Sequence, residues 1–124
     1  MNKNKSLEIK ALLDVIVKGM QEKKAERITI IDLRDIDNSV CDYFVVSNAN
    51  SNTQVNAIAN SIQKETLETL NDKAWHKEGT ESSEWILMDY VNVVAHIFQT
   101  SVREFYALED LWADAKITEI KASH

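Results

Sequence analysis

Apolar residues recur along this chain at two periods, and the switches between them mark out its elements. Ile9, Leu12, Leu13, Ile16 and Met20 keep the spacing of one helical face, which predicts an amphipathic helix from about Ser6 to Glu22. Ile28 to Leu33 is short and β-branched, and Tyr43 to Ser47 is a continuous apolar run of the kind a strand shows when both its faces are covered. Between them Arg34 to Asp42 is polar, and Asp35, Asp37, Asn38 and Ser39 favour turns by bonding their own backbone. Ser51-Asn52-Thr53-Gln54 matches a capping box, and Val55, Ile58, Ala59, Ile62 and Leu70 carry a second helix to about Leu70, with Thr66 at the one weak position.

Ala74 to Lys77 is a weak strand candidate, ended by Glu78-Gly79. Trp85 to Tyr90 and Val93 to Phe98 are stronger, and their closeness implies an antiparallel hairpin with Asn92 as the residue suited to a positive φ. Ser101-Val102-Arg103-Glu104 is a second capping box, so a third helix is expected from there to about Trp112. Strands alternating with helices predict an α/β fold with a right-handed crossover, a mixed sheet of mostly five strands, and helices on its faces. One domain is expected over residues 1–124, with its core in 7–115 and a loosely held tail over 116–124.

The sidedness of the late strand carries most of the functional content. Trp85, Leu87 and Asp89 point one way and Ile86 and Met88 the other. Asp89 ends the first set and Ser83 and Glu84 flank it, which assigns Trp85 and Leu87 to a partly exposed face and Ile86 and Met88 to the core. Exposed Trp amid charges has the look of an interface anchor with a polar rim. On a helical wheel Val102, Phe105, Tyr106, Leu108, Leu111 and Trp112 spread beyond one stripe, so a single core face cannot take them all.

Charge and composition narrow the function further. A formal charge of −6 argues against nucleic acid as the direct partner, because phosphates need clustered Lys and Arg. The longest uncharged apolar run is too short to span a bilayer. Asp14 and Lys18 interrupt the apolar residues that follow Lys3, Lys5 and Lys10, so these do not read as a signal peptide, and a cytoplasmic location is expected. Cys41 is the only cysteine; beside Val40 and Tyr43 it reads as packing, and Asp42 would raise its pKa. His76, His96 and Cys41 lack zinc-ligand spacing, and His96, inside an apolar run, reads as a core or interface histidine with its polar atoms satisfied locally. Asp35 and Asp37 could present two carboxylates to a divalent metal, as in a nucleotidyltransferase-like enzyme, since alternate residues of a strand share a face, but no phosphate-binding glycine loop or cation cluster accompanies them, and a solvated turn is the favoured reading. No catalytic residue, cofactor or metal is expected.

Four blocks in order, "DYFVVSNANSNTQVNAIANSI", "EG", "WILMDYVNVVAHIF" and "REFYALEDLW", resemble the Iojap-like ribosomal silencing factors (RsfS), over roughly Leu7 to Ala115. The resemblance implies a small α/β domain with a mixed sheet, related to nucleotidyltransferases but without their active site. It implies a protein that binds the fourteenth protein of the large ribosomal subunit, blocks joining with the small subunit when nutrients are short, and forms a homodimer. Trp85, Leu87 and Asp89, with Glu84 beside them, would meet the ribosomal protein. The pattern Arg103, Tyr106, Leu108, Glu109, Leu111 and Trp112 would be core plus interface, with Tyr106, Leu108 and Trp112 in a dimer or secondary contact. The chain departs from the family where Asn48 follows Ser47 instead of Gly, where Val91-Asn92 replaces Gly-Asp, and where Ser82-Ser83 stands for a Gly before the tryptophan. An acidic domain suits a basic ribosomal protein, since opposite charges speed encounter and a buried aromatic supplies affinity.

Overall fold

The computed structural model describes residues 3–121. Its elements run α1 (Lys3–Glu22), β1 (Glu26–Asp32), β2 (Tyr43–Ala49), α2 (Asn52–Leu70), β3 (His76–Glu78), β4 (Trp85–Asp89), β5 (Val93–Gln99), α3 (Thr100–Tyr106), α4 (Leu108–Leu111) and β6 (Lys116–Glu119). The strands form one mixed sheet in the order β3-β4-β5-β2-β1-β6. β2 and β5 are parallel, and the other neighbours are antiparallel. The α/β class, the hairpin and the covered strand at 43–49 are as the pattern predicts.

The sheet has six strands instead of mostly five, because part of the expected loose tail is ordered. Lys116–Glu119 pairs along β1 from Asp32↔Lys116 to Thr29↔Glu119. All four of its side chains are exposed, so no apolar alternation announces it; the backbone ladder holds it. Residues 122–124 of that tail lie outside the described residues.

The two faces of the sheet are covered unequally. Helices of 20 and 19 residues, α1 and α2, bury Ile16, Met20, Ile58 and Ile62 against Val45, Ala95, Ile97, Ile86 and Met88. They touch backbone to backbone, for a Cβ on Gly19 would lie 2.8 Å from Ile62 Cα, and Ser61 Oγ donates to the Gly19 carbonyl at 2.8 Å. The other face carries a smaller cluster of Ile31, Leu33, Phe44, Val46, Val94, Phe98 and Leu108 beneath helices of only 7 and 4 residues. Its β4 end is therefore thinly roofed.

Three local expectations are corrected. Ser51 caps α2, with its Oγ accepting from Gln54 N at 3.1 Å, but the Gln54 amide does not return to Ser51; it donates to the Lys23 carbonyl and ties the α2 start to the turn after α1. In the β4–β5 turn Val91, not Asn92, takes the positive φ (77°), with Asn92 N donating to Tyr90 O and Val91 N to Asp89 Oδ1. The third helix is capped by Gln99, whose side chain accepts from Ser101 N, and it breaks at Ala107 (φ 45°, ψ 58°) instead of running on to Trp112. That break answers the helical-wheel problem, because it lets residues on either side of it face different ways.

Candidate partner-binding surface

β4 alternates as its sequence implies. Ile86 and Met88 are fully buried, while Trp85, Leu87 and Asp89 on the opposite face are half-buried and Glu84 is exposed. A tight loop delivers Trp85 to this position. Gly79 has φ +82°, and a Cβ there would sit 1.9 Å from the Trp85 carbonyl oxygen, so only glycine fits. Ser83, at φ 56° and buried, closes the loop by donating its N–H to Gly79 O at 2.9 Å and its hydroxyl to Thr80 O at 3.1 Å. A cavity of about 270 Å³ lies beside it, lined by Glu78, Gly79, Trp85 and Leu87.

The indole of Trp85 is held in an aromatic cluster. Its ring lies 4.7 Å from Phe98 in a stacked arrangement and 4.9 Å from Tyr106. Its Nε1–H donates to His96 Nδ1 at 3.1 Å. His96 is 4% exposed and stands edge-on to Phe44 at 4.6 Å. Burial pushes its pKa down to about 4, so the ring is neutral at neutral pH. Of its two nitrogens Nδ1 is satisfied locally, as expected, while Nε2 is buried with no hydrogen-bond partner among the described residues.

The chain after β5 extends this surface. Phe105 is 81% exposed, Leu111 71% and Tyr106 49%. Trp112 is half-buried, edge-on to Phe44 at 6.0 Å. Leu108, expected in the secondary interface, is instead a core residue at 8% exposure, because the break at Ala107 turns it under the sheet. Charge is concentrated here too. Residues 78–112 hold seven of the twenty carboxylates (Glu78, Glu81, Glu84, Asp89, Glu104, Glu109 and Asp110) and one of the fourteen Lys and Arg side chains. The whole excess of negative charge therefore resides in this segment, and the remainder of the chain is balanced.

That one basic side chain, Arg103, is the residue whose part the sequence did not disclose. It is 2% exposed, and its guanidinium donates from Nη1 to Arg27 O (2.7 Å) and Asn48 Oδ1 (2.9 Å), and from Nη2 to Thr29 Oγ1 (3.0 Å) and Glu109 Oε2 (3.2 Å). Burial lowers its pKa and the Glu109 carboxylate opposes that shift; a guanidinium remains charged throughout. Arg27 sits at φ 49° where the β1–β2 register slips between Glu26 and Thr29, and its carbonyl accepts from both Arg103 and the Thr29 hydroxyl (2.9 Å). Helix α3 is thereby fastened across the sheet, and Tyr106 with it. The available signal was a lone arginine in an otherwise acidic, aromatic segment.

The remaining candidates do not converge. Asp35 and Asp37 lie on an exposed turn, not a strand, with Ile36 between them packed toward the second core. Cys41 is half-buried, and desolvation first, then neighbouring Asp89 and Asp42, raise its pKa to about 11, which fits a packing thiol. His76 is exposed and bonds Glu78 at 3.0 Å. Among the described residues no three His, Cys, Asp or Glu side chains are grouped to hold a metal, and no helix is long and apolar enough to cross a membrane.

Residues 6–124 match the family model described as "Ribosomal silencing factor during starvation" (RsfS). A protein of Halalkalibacterium halodurans named ribosomal silencing factor RsfS is 34% identical over 110 residues, covering 89% of this chain and 92% of its own. A mouse protein named mitochondrial assembly of ribosomal large subunit protein 1 is 26% identical over 116 residues, covering 89% of this chain and 50% of its own. Among solved structures, the X-ray structure of a Chromobacterium violaceum protein superposes with a TM-score of 0.79 at 31% identity, covering 93% of this chain and 95% of that one.

Proposed function

We propose a mode of action from one premise: this chain belongs to the ribosomal silencing factor (RsfS) family. Membership supports repression of translation at the ribosome, and the name of the mouse relative points to the large subunit. The protein binds that subunit through a basic ribosomal protein, the fourteenth of the large subunit by the family resemblance. The observation that carries this reading is the coincidence of an apolar patch with the chain's entire excess of negative charge. Trp85 and Leu87 are half-buried and Phe105, Tyr106 and Leu111 exposed, and the segment that carries them, residues 78–112, holds that excess. An aromatic centre inside a charged rim is the usual build of an interface hot spot, with the charges speeding encounter and the buried ring slowing release.

Silencing then requires occupancy and no chemistry. A folded body seated where the small subunit must dock excludes it sterically, and the effect scales with concentration over the dissociation constant. The same patch suits a homodimer in the free protein, through Tyr106 and Trp112.

The test is co-sedimentation with purified large subunits. Trp85→Ala should keep the fold yet weaken binding tenfold or more, as for an anchor worth about 2 kcal/mol. Mixing wild-type protein with both subunits should lower the yield of whole ribosomes. A folded Trp85→Ala protein that binds as well as wild type would refute the assignment of the surface.

A further inference from the structure

We propose that His96 positions Trp85 for docking, taking up the indole N–H from inside the protein, so that the partner residue covering the ring is apolar and offers it no hydrogen-bond acceptor. The proposal rests on the reading of Trp85 as the partner's anchor and adds to it the chemistry of what the anchor meets. Trp85 pairs across the sheet with Phe98, and Leu87 with His96, so all four side chains share one face. From that face the Trp85 Nε1–H reaches His96 Nδ1 at 3.1 Å, and the accepting Nδ1 fixes the neutral imidazole with its proton on Nε2.

The acceptor is itself packed into the protein. His96 is 4% exposed, edge-on to Phe44 at 4.6 Å and nearly parallel to Phe98 at 6.2 Å. With Phe98 and Tyr106 against the indole, the side chain presents its hydrocarbon portion outward and its one polar atom inward. A tryptophan anchor commonly carries its N–H to the partner. Without His96, a partner covering this ring would strip water from an indole N–H and leave it unpaired, weakening association on the order of tenfold. The internal acceptor removes that requirement, so the contact selects for shape and an aliphatic surface.

The experiment uses the full chain labelled with ¹⁵N, in which each of the three tryptophans gives one indole N–H signal. Trp85 is assigned by its loss in Trp85→Phe. The Trp85 signal should exchange with solvent more slowly than that of Trp75, which is 73% exposed. His96→Leu removes the acceptor and should speed exchange at Trp85 and weaken binding to purified large subunits on the order of tenfold. His96→Asn carries an oxygen on Cγ where Nδ1 was attached, and should restore slow exchange and bring affinity to within about threefold of wild type.

Exchange at Trp85 as fast as at Trp75 would overturn the proposal. So would a His96→Leu protein that melts lower yet keeps both exchange and affinity. A normal affinity in Trp85→Ala would instead refute the anchor reading while leaving the internal bond measured by exchange intact.

Discussion

Replacing Glu109 with Gln probes the buried arginine most directly. The Arg103 guanidinium, 2% exposed, has four acceptors, and Glu109 is the one that carries charge. Glutamine keeps the shape and a hydrogen-bonding oxygen but leaves the cation facing only neutral groups, with the Arg27 guanidinium close by in the same cluster. A charge pair at this range is worth about 4 kcal/mol at an effective dielectric of about 20. Glu109 is 22% exposed, so water screens part of that, and the expected loss is about 2–3 kcal/mol. For a domain of this size the melting temperature should fall by roughly 6–15 °C. Arg103→Met takes away the charge along with its hydrogen bonds and should cost about 3 kcal/mol, because Arg27 O, Asn48 Oδ1 and Thr29 Oγ1 lose a donor. Once the buried cation is gone Glu109 keeps only the half-exposed Arg27 as an ionic partner, so the double variant should fall short of the sum by about 1–3 kcal/mol. Urea unfolding of all four proteins, followed by far-ultraviolet circular dichroism, closes the cycle. Additive losses, or a Glu109→Gln protein within about 0.5 kcal/mol of wild type, would refute the dependence of Arg103 on that carboxylate.

Val91→Gly should stabilise the protein by about 1 kcal/mol, since a β-branched residue sits at φ 77° where glycine is unstrained; chemical denaturation reads the gain, and any loss contradicts the strain argument. Gly79→Ala should destabilise by about 2 kcal/mol or more and disturb the Trp85 indole signal, because the new methyl meets the Trp85 carbonyl; a wild-type spectrum would exclude that clash. His96 has a folded pKa of about 4 against an ordinary 6.5, so between those values the unfolded chain binds the extra proton; stability is full above pH 6.5 and falls as pH drops toward 4, by about 3 kcal/mol in all. Denaturant midpoints across that window should fall more steeply for wild type than for His96→Asn, and parallel curves would show that His96 is not the group responsible.

Periodicity made most of the fold legible, because α1, α2, β2, β4 and β5 each bury a face that their apolar residues mark. The sidedness of β4 was legible for the same reason, and with it the accessibility of Trp85 and Leu87. β6 was not, since an exposed strand held by its backbone leaves no side-chain signature. The break at Ala107 was hidden too: alanine favours helix, and what ends the helix is tertiary, namely Leu108 turning to the core and Arg103 held by β1 and β2. Turn chemistry misled at Val91 because propensity favours Asn92 for the left-handed region, whereas Asp89 accepts the Val91 N–H and holds the strained residue there. The bond between Trp85 and His96 joins residues eleven apart on adjacent strands, and only their register reveals it.

The pairing of β1 with β6 bears on how the chain is made. β1 is complete at Asp32, yet one of its two neighbours is formed only from Lys116 to Glu119. β5, which completes the parallel centre of the sheet, also lies far along the chain from β1. A nascent chain of about one hundred residues therefore carries an open backbone edge along β1, a template for pairing with other molecules. The native sheet is complete only once Lys116 to Glu119 are in place, so a chain truncated before Lys116 should aggregate more readily than the full one.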